Sequence, residues 1–116
     1  MLNDLNKIHQ IGRLGADAKQ ASDNSNAPVT FSIATTEKWK EEGSSEWQER
    51  VDWHNIVVFG NLRKYAKKFK KGDRVYVEGK LRNNNYEKTV GKEKVMMYGT
   101  EIHATEIELL KAKDEE

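Results

Sequence analysis

Residues 51–82 read VDWHNIVVFGNLRKYAKKFKKGDRVYVEGKLR, and the hydrophobic period changes twice within them. From Val51 to Phe59 the alternation is period two in a run rich in β-branched and aromatic residues, the pattern of a strand. Leu62, Tyr65, Ala66 and Phe69 then fall at i, i+3, i+4 and i+7, one face of a helix, with basic residues over the rest of its surface and Gly72 placed as a C-terminal stop. Period two returns at Val75, Val77, Gly79 and Leu81. One short helix is thus held between two strands.

Upstream, Val29, Phe31 and Ile33 alternate in the same way. Ile8, Ile11 and Leu14 would also suit a helix face, but Gly12 and Gly15 weaken that reading, and the segment is read as a strand bent at glycine. Downstream, Lys94 to Leu110 carries Val95, Met97, Ile102, Ala104 and Ile107, a long strand interrupted at Gly99 that would close the sheet. Three strands, a helix and two strands define an all-β class with one short helix. The order is that of an OB-fold, a five-stranded Greek-key barrel. The connections 17–27, 40–47 and 83–93 are polar and expected to be mobile. No repeat or second domain is found; residues 1–110 are expected to form the OB-fold domain and residues 111–116 a short acidic end.

The chain has 116 residues, enough to bury one core, and no cysteine, which excludes disulfides and thiol chemistry. The start MLNDLNKIHQIGRLG has neither a signal-peptide apolar run nor a transit composition, and no later stretch approaches a membrane span. A cytoplasmic, nucleoid-associated protein without membrane contact is expected. Net charge is only +1, but it is unevenly placed: Asn61 to Arg82 holds nine Lys/Arg against Asp73 and Glu78, while Glu101 to Glu116 holds six acids against Lys111 and Lys113. Asp52 and His54 lie two apart on one strand face with no phosphate loop or nucleophile motif nearby, so an enzyme is not expected. His9, His54 and His103 are scattered without ligand spacing, and neither a metal nor a cofactor is implied.

Trp53 and Phe59 share one face of their strand with Asn55 and Val57, while Asp52, His54, Ile56 and Val58 share the other. A small barrel has one inside, so one of these two faces must have other work. Exposed aromatics suit unpaired nucleic acid, because every base offers a π-face that duplex DNA hides. The alternative, that Trp53 and Phe59 are ordinary core residues, stays open at this point. Most of the helix cations, Arg63, Lys64, Lys67, Lys68 and Lys70, read as a solvated outer face. Lys71, Arg74, Lys80 and Arg82 are better candidates for phosphates, since the fourth strand brings cations next to the sheet.

Longer strings carry a resemblance: Asn6-Lys7, then Ile11 to Gly15 (IGRLG), Phe31 to Thr35 (FSIAT) leading to Trp39, Asp52 to Gly60 (DWHNIVVFG), and Lys71 to Arg82 (KGDRVYVEGKLR). In this order, from about Asn6 to Leu110, they resemble the bacterial and mitochondrial single-stranded DNA-binding protein family. The resemblance implies an OB-fold subunit of a homotetramer that binds and protects single-stranded DNA without a sequence code during replication, recombination and repair. It places base stacking on Trp39, Trp53, Phe59 and Tyr86, the last a tyrosine where many relatives carry tryptophan, which leaves a smaller stacking face. It places phosphate contacts on Lys71 and Arg82, and further on Arg13, Lys40 and Arg50. Asn55 stands where many relatives have arginine. His54 matches a position near a subunit contact. Trp47, read as part of an acidic loop, is expected to matter less than Trp39 and Trp53. Many bacterial relatives add a long tail with an acidic tip that recruits replication and repair proteins; this chain stops at Lys113-Asp114-Glu115-Glu116, so poor recruitment is expected, and the lack of a transit composition at the start favours a bacterial, phage or plasmid origin. An OB-fold module for RNA or for protein contact is the nearest rival reading.

Overall fold

The computed structural model describes residues 3–114, and in it the alternating segments become strands β1 (Ile8–Leu14), β2 (Lys19–Gln20), β3 (Val29–Lys40), β4 (Trp47–Val58), β5 (Arg74–Asn83), β6 (Tyr86–Val90), β7 (Glu93–Met97) and β8 (Thr100–Lys111). A 3-10 turn, Gly60–Leu62, leads into helix α1, Arg63–Ala66, between β4 and β5. The strands β1, β5, β8, β4 and β3 are neighbours in that order, and β1 also pairs with β3, so the sheet closes into a five-stranded barrel. β4 and β8 run parallel; the other pairings around the barrel are antiparallel. This is the Greek-key OB-fold with its helix between the third and fourth barrel strands.

Period two sends every second residue inward, and the core is built from Val29, Phe31, Ile33, Ile56, Val58, Val75, Val77, Ile102 and Ile107, with Leu14 from β1. Ala66 and Phe69 plug one end, the Phe69 ring meeting Phe31 edge-on at 5.4 Å. Ile102 and Ile107 are an odd number apart and still both point inward. The register accounts for this: Gly79 faces Ala104 while Glu78 faces Glu106, so Thr105 is an extra residue that shifts the phase of β8.

Two glycines permit closure. A β-carbon on Gly12 would stand 2.5 Å from the carbonyl oxygen of Ala34, and one on Gly79 would run into the carbonyl of His103 at the bulge. A third constraint is the buried carboxylate of Asp73, which accepts from the Lys70 N–H at 2.9 Å and from the Lys113 N–H at 3.0 Å. That carboxylate ties the turn before β5 to the chain after β8. The end expected to separate after residue 110 is therefore continuous with β8 as far as Lys111 and is bound at Lys113; Glu115 and Glu116 lie outside the described residues.

Several elements differ from expectation. The helical spacing expected over Leu62 to Phe69 forms only one α-turn, because Phe69 and Lys68 bond back to Ala66 and Tyr65 in tighter turns. Ala66 and Phe69 are buried all the same, so the spacing reported burial more faithfully than helix length. Residues 83–93, expected as a loop, enter a hairpin in which β6 pairs with β7 across Gly91 at φ +64°. The strand expected from Lys94 is two strands divided at Tyr98-Gly99, and its first part pairs with β6 rather than closing the barrel. β3 and β4 pair all the way from Val29↔Val58 to Lys40↔Trp47. Trp47 is thus a strand residue, not a loop residue. Below Ala34 this ribbon has left β1, and below Ile56 it has left β8. With both faces in solvent, no apolar alternation marks it in the sequence.

Alanine at Gly12 or Gly79 should destabilise the fold by about 1–3 kcal/mol, since the added carbon meets backbone rather than a movable side chain. Urea unfolding checks this: the midpoint should fall at an unchanged slope.

Candidate nucleic-acid interface

The core claims Ile56 and Val58, and alternation then turns Trp53 and Asn55 outward. Trp53 is 60% exposed and Phe59, just past the end of β4, is 51% exposed, so the core alternative does not hold for either. Register extends this outer face sideways. Ala34 and Ser32 of β3 lie opposite Trp53 and Asn55; His103 of β8 lies opposite Val57; and Lys80 and Arg82 of β5 lie opposite His103 and Glu101. One sheet surface therefore carries an indole, an amide, an imidazole, a carboxylate and two cations.

Trp53 is propped rather than free. A β-carbon on Gly15 would lie 2.6 Å from ring carbon Cζ3, which means that the Gly15 backbone supports part of the indole from beneath. Asn55 accepts from the Ser32 hydroxyl at 3.1 Å, which occupies its carbonyl and leaves its NH2 to donate. The Phe59 ring meets the His103 imidazole edge-on at 5.1 Å, and His103 Nε2 is 2.7 Å from Glu101 Oε1. A groove lined by Gly15, Asp17, Lys19, Ser32, Trp53, Asn55 and Glu101 runs over this surface. It adjoins a second hollow, in which Trp53 and Asn55 meet Asn84, Tyr86, Tyr98 and Gly99. Tyr98 is 80% exposed and was missed in the sequence reading. The available signal was an aromatic residue directly before the glycine at which a strand breaks.

Other candidates are placed differently. Antiparallel pairing of Trp39 with Gln48 puts Trp39 on the face of Ile33, Arg50 and His54, the reverse of the face that carries Trp53. Trp47, Val51 and Trp53 share a face, with the Lys40 ammonium 4.8 Å above the Trp47 ring. The expectation that Trp39 and Trp53 form one surface, with Trp47 apart from it in a loop, is corrected by this register. Arg50 is paired with Asp52 at 3.2 Å. His54 is half-buried, its Nδ1 3.2 Å from Gln10 Nε2 and its Nε2 2.8 Å from the Thr35 hydroxyl, so both imidazole nitrogens are engaged within the chain.

The cations fall into two groups. Lys80 and Arg82 stand on the outer face beside the groove, and the Lys71 N–H donates at 2.8 Å to Asp17, a groove residue, which puts Lys71 at the rim. Arg74 begins β5, about 26 Å from Arg82 at roughly 3.3 Å per residue. It faces Arg13, whose guanidinium donates to the Gly72 carbonyl at 3.1 Å. On the β1–β5 wall that leads away from them, Glu78 is met by Lys7 at 3.6 Å and by His9 at 3.3 Å. There the Tyr76 hydroxyl donates to Glu78 at 3.1 Å, and burial together with Glu78 and Glu106 holds it above its ordinary pKa.

The family model of the Single-strand binding protein family matches residues 5–110. Among curated proteins, the chain is 40% identical over 113 residues to a "Single-stranded DNA-binding protein 1" of Xylella fastidiosa, covering 96% of this chain and 81% of that protein. It is 38% identical over 116 residues to a protein of the same description from Chlorobaculum tepidum, covering 98% of this chain and 70% of that one. Among solved structures, "Plasmodium falciparum SSB complex with ssDNA" superposes with a TM-score of 0.75 at 32% identity, over 94% of this chain and 97% of that chain.

Because the atoms that a Gly15 side chain would meet are the far end of the Trp53 ring, Gly15→Ala should tilt the indole at little cost in stability. The expected result is a changed tryptophan emission in the free protein and several-fold weaker binding of oligo(dT), with the thermal midpoint nearly unchanged.

Proposed function

The chain belongs to the Single-strand binding protein family, and from that premise we propose that it binds and protects unpaired DNA without reading its sequence, in replication, recombination and repair. The observation that carries the reading is the Trp53 indole, 60% exposed, propped on Gly15 and set in a groove rimmed by cations. An indole in that position has lost the benefit of burial and gains it back by stacking, which is worth about 1–3 kcal/mol per base and makes no demand on base identity. Duplex DNA cannot use it, because its bases already stack on one another.

In this reading bases stack on Trp53, Phe59 and Tyr86, while Lys71, Lys80 and Arg82 hold the phosphates at the rim. The Asn55 amide donates to a base edge or phosphate oxygen where a cation would otherwise stand. Trp39, on the reverse of the ribbon, is reached by a strand that passes around the ribbon rather than along one face. Arg13 and Arg74 form a separate cationic pair that serves the exit of such a strand; Lys40 acts beside Trp47, and Arg50 contributes least because Asp52 already neutralises it. Binding of this kind involves no bond making or breaking, so the protein acts without catalysis, on unpaired DNA in the cytoplasm. A homotetramer fits the exposed apolar residues Ile11, Leu109 and Leu110, with His54 acting near the contact by ordering Gln10 and Thr35.

Salt titration tests the phosphate path. Replacing Lys80 and Arg82 by alanine should weaken binding for all base compositions and lower the slope of log affinity against log salt by roughly 0.7 per lost contact. Competition among single-stranded DNA, single-stranded RNA and duplex of equal length should favour the first. An unaltered slope, or equal binding of duplex, would overturn the reading.

A further inference from the structure

The face that carries Trp53 does not end at the barrel. β4 continues beyond it, and Trp47 lies six residues before Trp53 on the same strand face, about 20 Å away at roughly 3.3 Å per residue. Lys38 and Lys40 of β3 stand on that same face of the ribbon, by their pairing with Glu49 and Trp47. Trp47 is 66% exposed, the most open of the three indoles, and it packs into no core cluster. It is nevertheless held: the Lys40 ammonium sits 4.8 Å from the ring centroid, where the negative face of the indole attracts it. One ring face is covered by a cation and the other is left open.

Charge around the ring is directional. Glu41, Glu42 and Glu46 crowd the hairpin loop beyond Trp47, Lys38 and Lys40 lie on the β3 side, and the one carboxylate on the β4 side of this face, Glu49, is opposite Lys38. A phosphate is repelled from the loop tip and drawn across to β3. A strand of DNA lying along the outer face of β4 from Trp53 therefore arrives at an ordered indole with its free face open and cations beside it.

We infer that Trp47, held by Lys40, is a further base-stacking position, whose ligand is an unpaired nucleotide of a single-stranded DNA already seated on Trp53, with its phosphate directed to Lys38 and Lys40. The inference rests on the single-strand-binding reading above and adds a second, distal contact to it. Lys40 is a positioning residue as well as a phosphate contact: it removes ring rotation before the base arrives.

Three proteins, each keeping one tryptophan with phenylalanine at the other two, separate this inference from the reading on which it rests. Each is titrated with a long oligo(dT) and with one too short to reach from Trp53 to Trp47. The protein carrying Trp39→Phe and Trp53→Phe should lose emission with the long oligonucleotide and keep it with the short one. Trp47→Ala should weaken binding of the long oligonucleotide by about five- to tenfold and leave the short one unaffected. Lys40→Met should reproduce part of that loss, and Lys40→Arg should restore it. If Trp47 emission stays constant while the protein that keeps Trp53 is quenched, the distal contact is wrong and the single-strand-binding reading stands. If neither responds to DNA, that reading falls and the inference with it. A changed mass of Trp47→Ala by light scattering, with unaltered DNA affinity, would assign the indole to a contact between copies of the chain and overturn the inference.

Discussion

The close approach of backbone to backbone at Gly12 and Gly79 is the constraint on which the rest of the structure depends. A larger residue at either position would strain the seam between β1 and Ala34 or between β5 and His103. Closure gives the sheet a single interior, and that interior is filled by Phe31, Ile33, Ile56, Val58, Val75, Val77 and their neighbours. Once Ile56 and Val58 are inside, Trp53 and Asn55 have no choice but to be outside. The recognition surface is in this sense the remainder left by a well-packed core.

A chain of nearly zero net charge handles a polyanion by arrangement. Asp17 and Glu101 line the groove together with Lys19, while Lys71, Lys80 and Arg82 stand beside it. The Trp53 ring in that lining and the cations beside it favour a ligand with uncharged faces inward and charges outward, which is how an unpaired strand presents itself with its bases turned to the protein. Glu101 is also engaged with His103, which in turn meets Phe59, so the same carboxylate helps to set an aromatic ring. On the β1–β5 wall, by contrast, Lys7 lies 3.6 Å and His9 3.3 Å from Glu78, so the cation there is already paired.

Beyond the barrel, the β3–β4 ribbon works under different rules. Residues 35–40 and 47–52 pair only with each other, both faces meet solvent, and side-chain choice there is released from packing. Tryptophan on such a ribbon contributes little to folding. Its register decides which way each indole faces: Trp47 toward the side of Trp53, and Trp39 toward the side of His54.

The sequence by itself determined the five barrel strands, their order around one helix, most of the core, and the strings that mark the family. These are features of period and of local residue type, and they survive without knowledge of what touches what. It also determined which aromatics and cations were worth attention. Tertiary structure alone decided which of them share a surface. Trp53 could be read as core or as surface until closure of the barrel put Ile56 and Val58 inside; Arg74 and Arg82 share a strand but stand at its opposite ends; Tyr98 was invisible until the β6–β7 hairpin brought it to the groove. The ribbon, the hairpin and the bulge at Thr105 were illegible because none buries an apolar face in the simple period that sequence reports. Register, which sets the face of every residue on a strand, arises from pairing between distant segments, and no local pattern encodes it where both faces are wet.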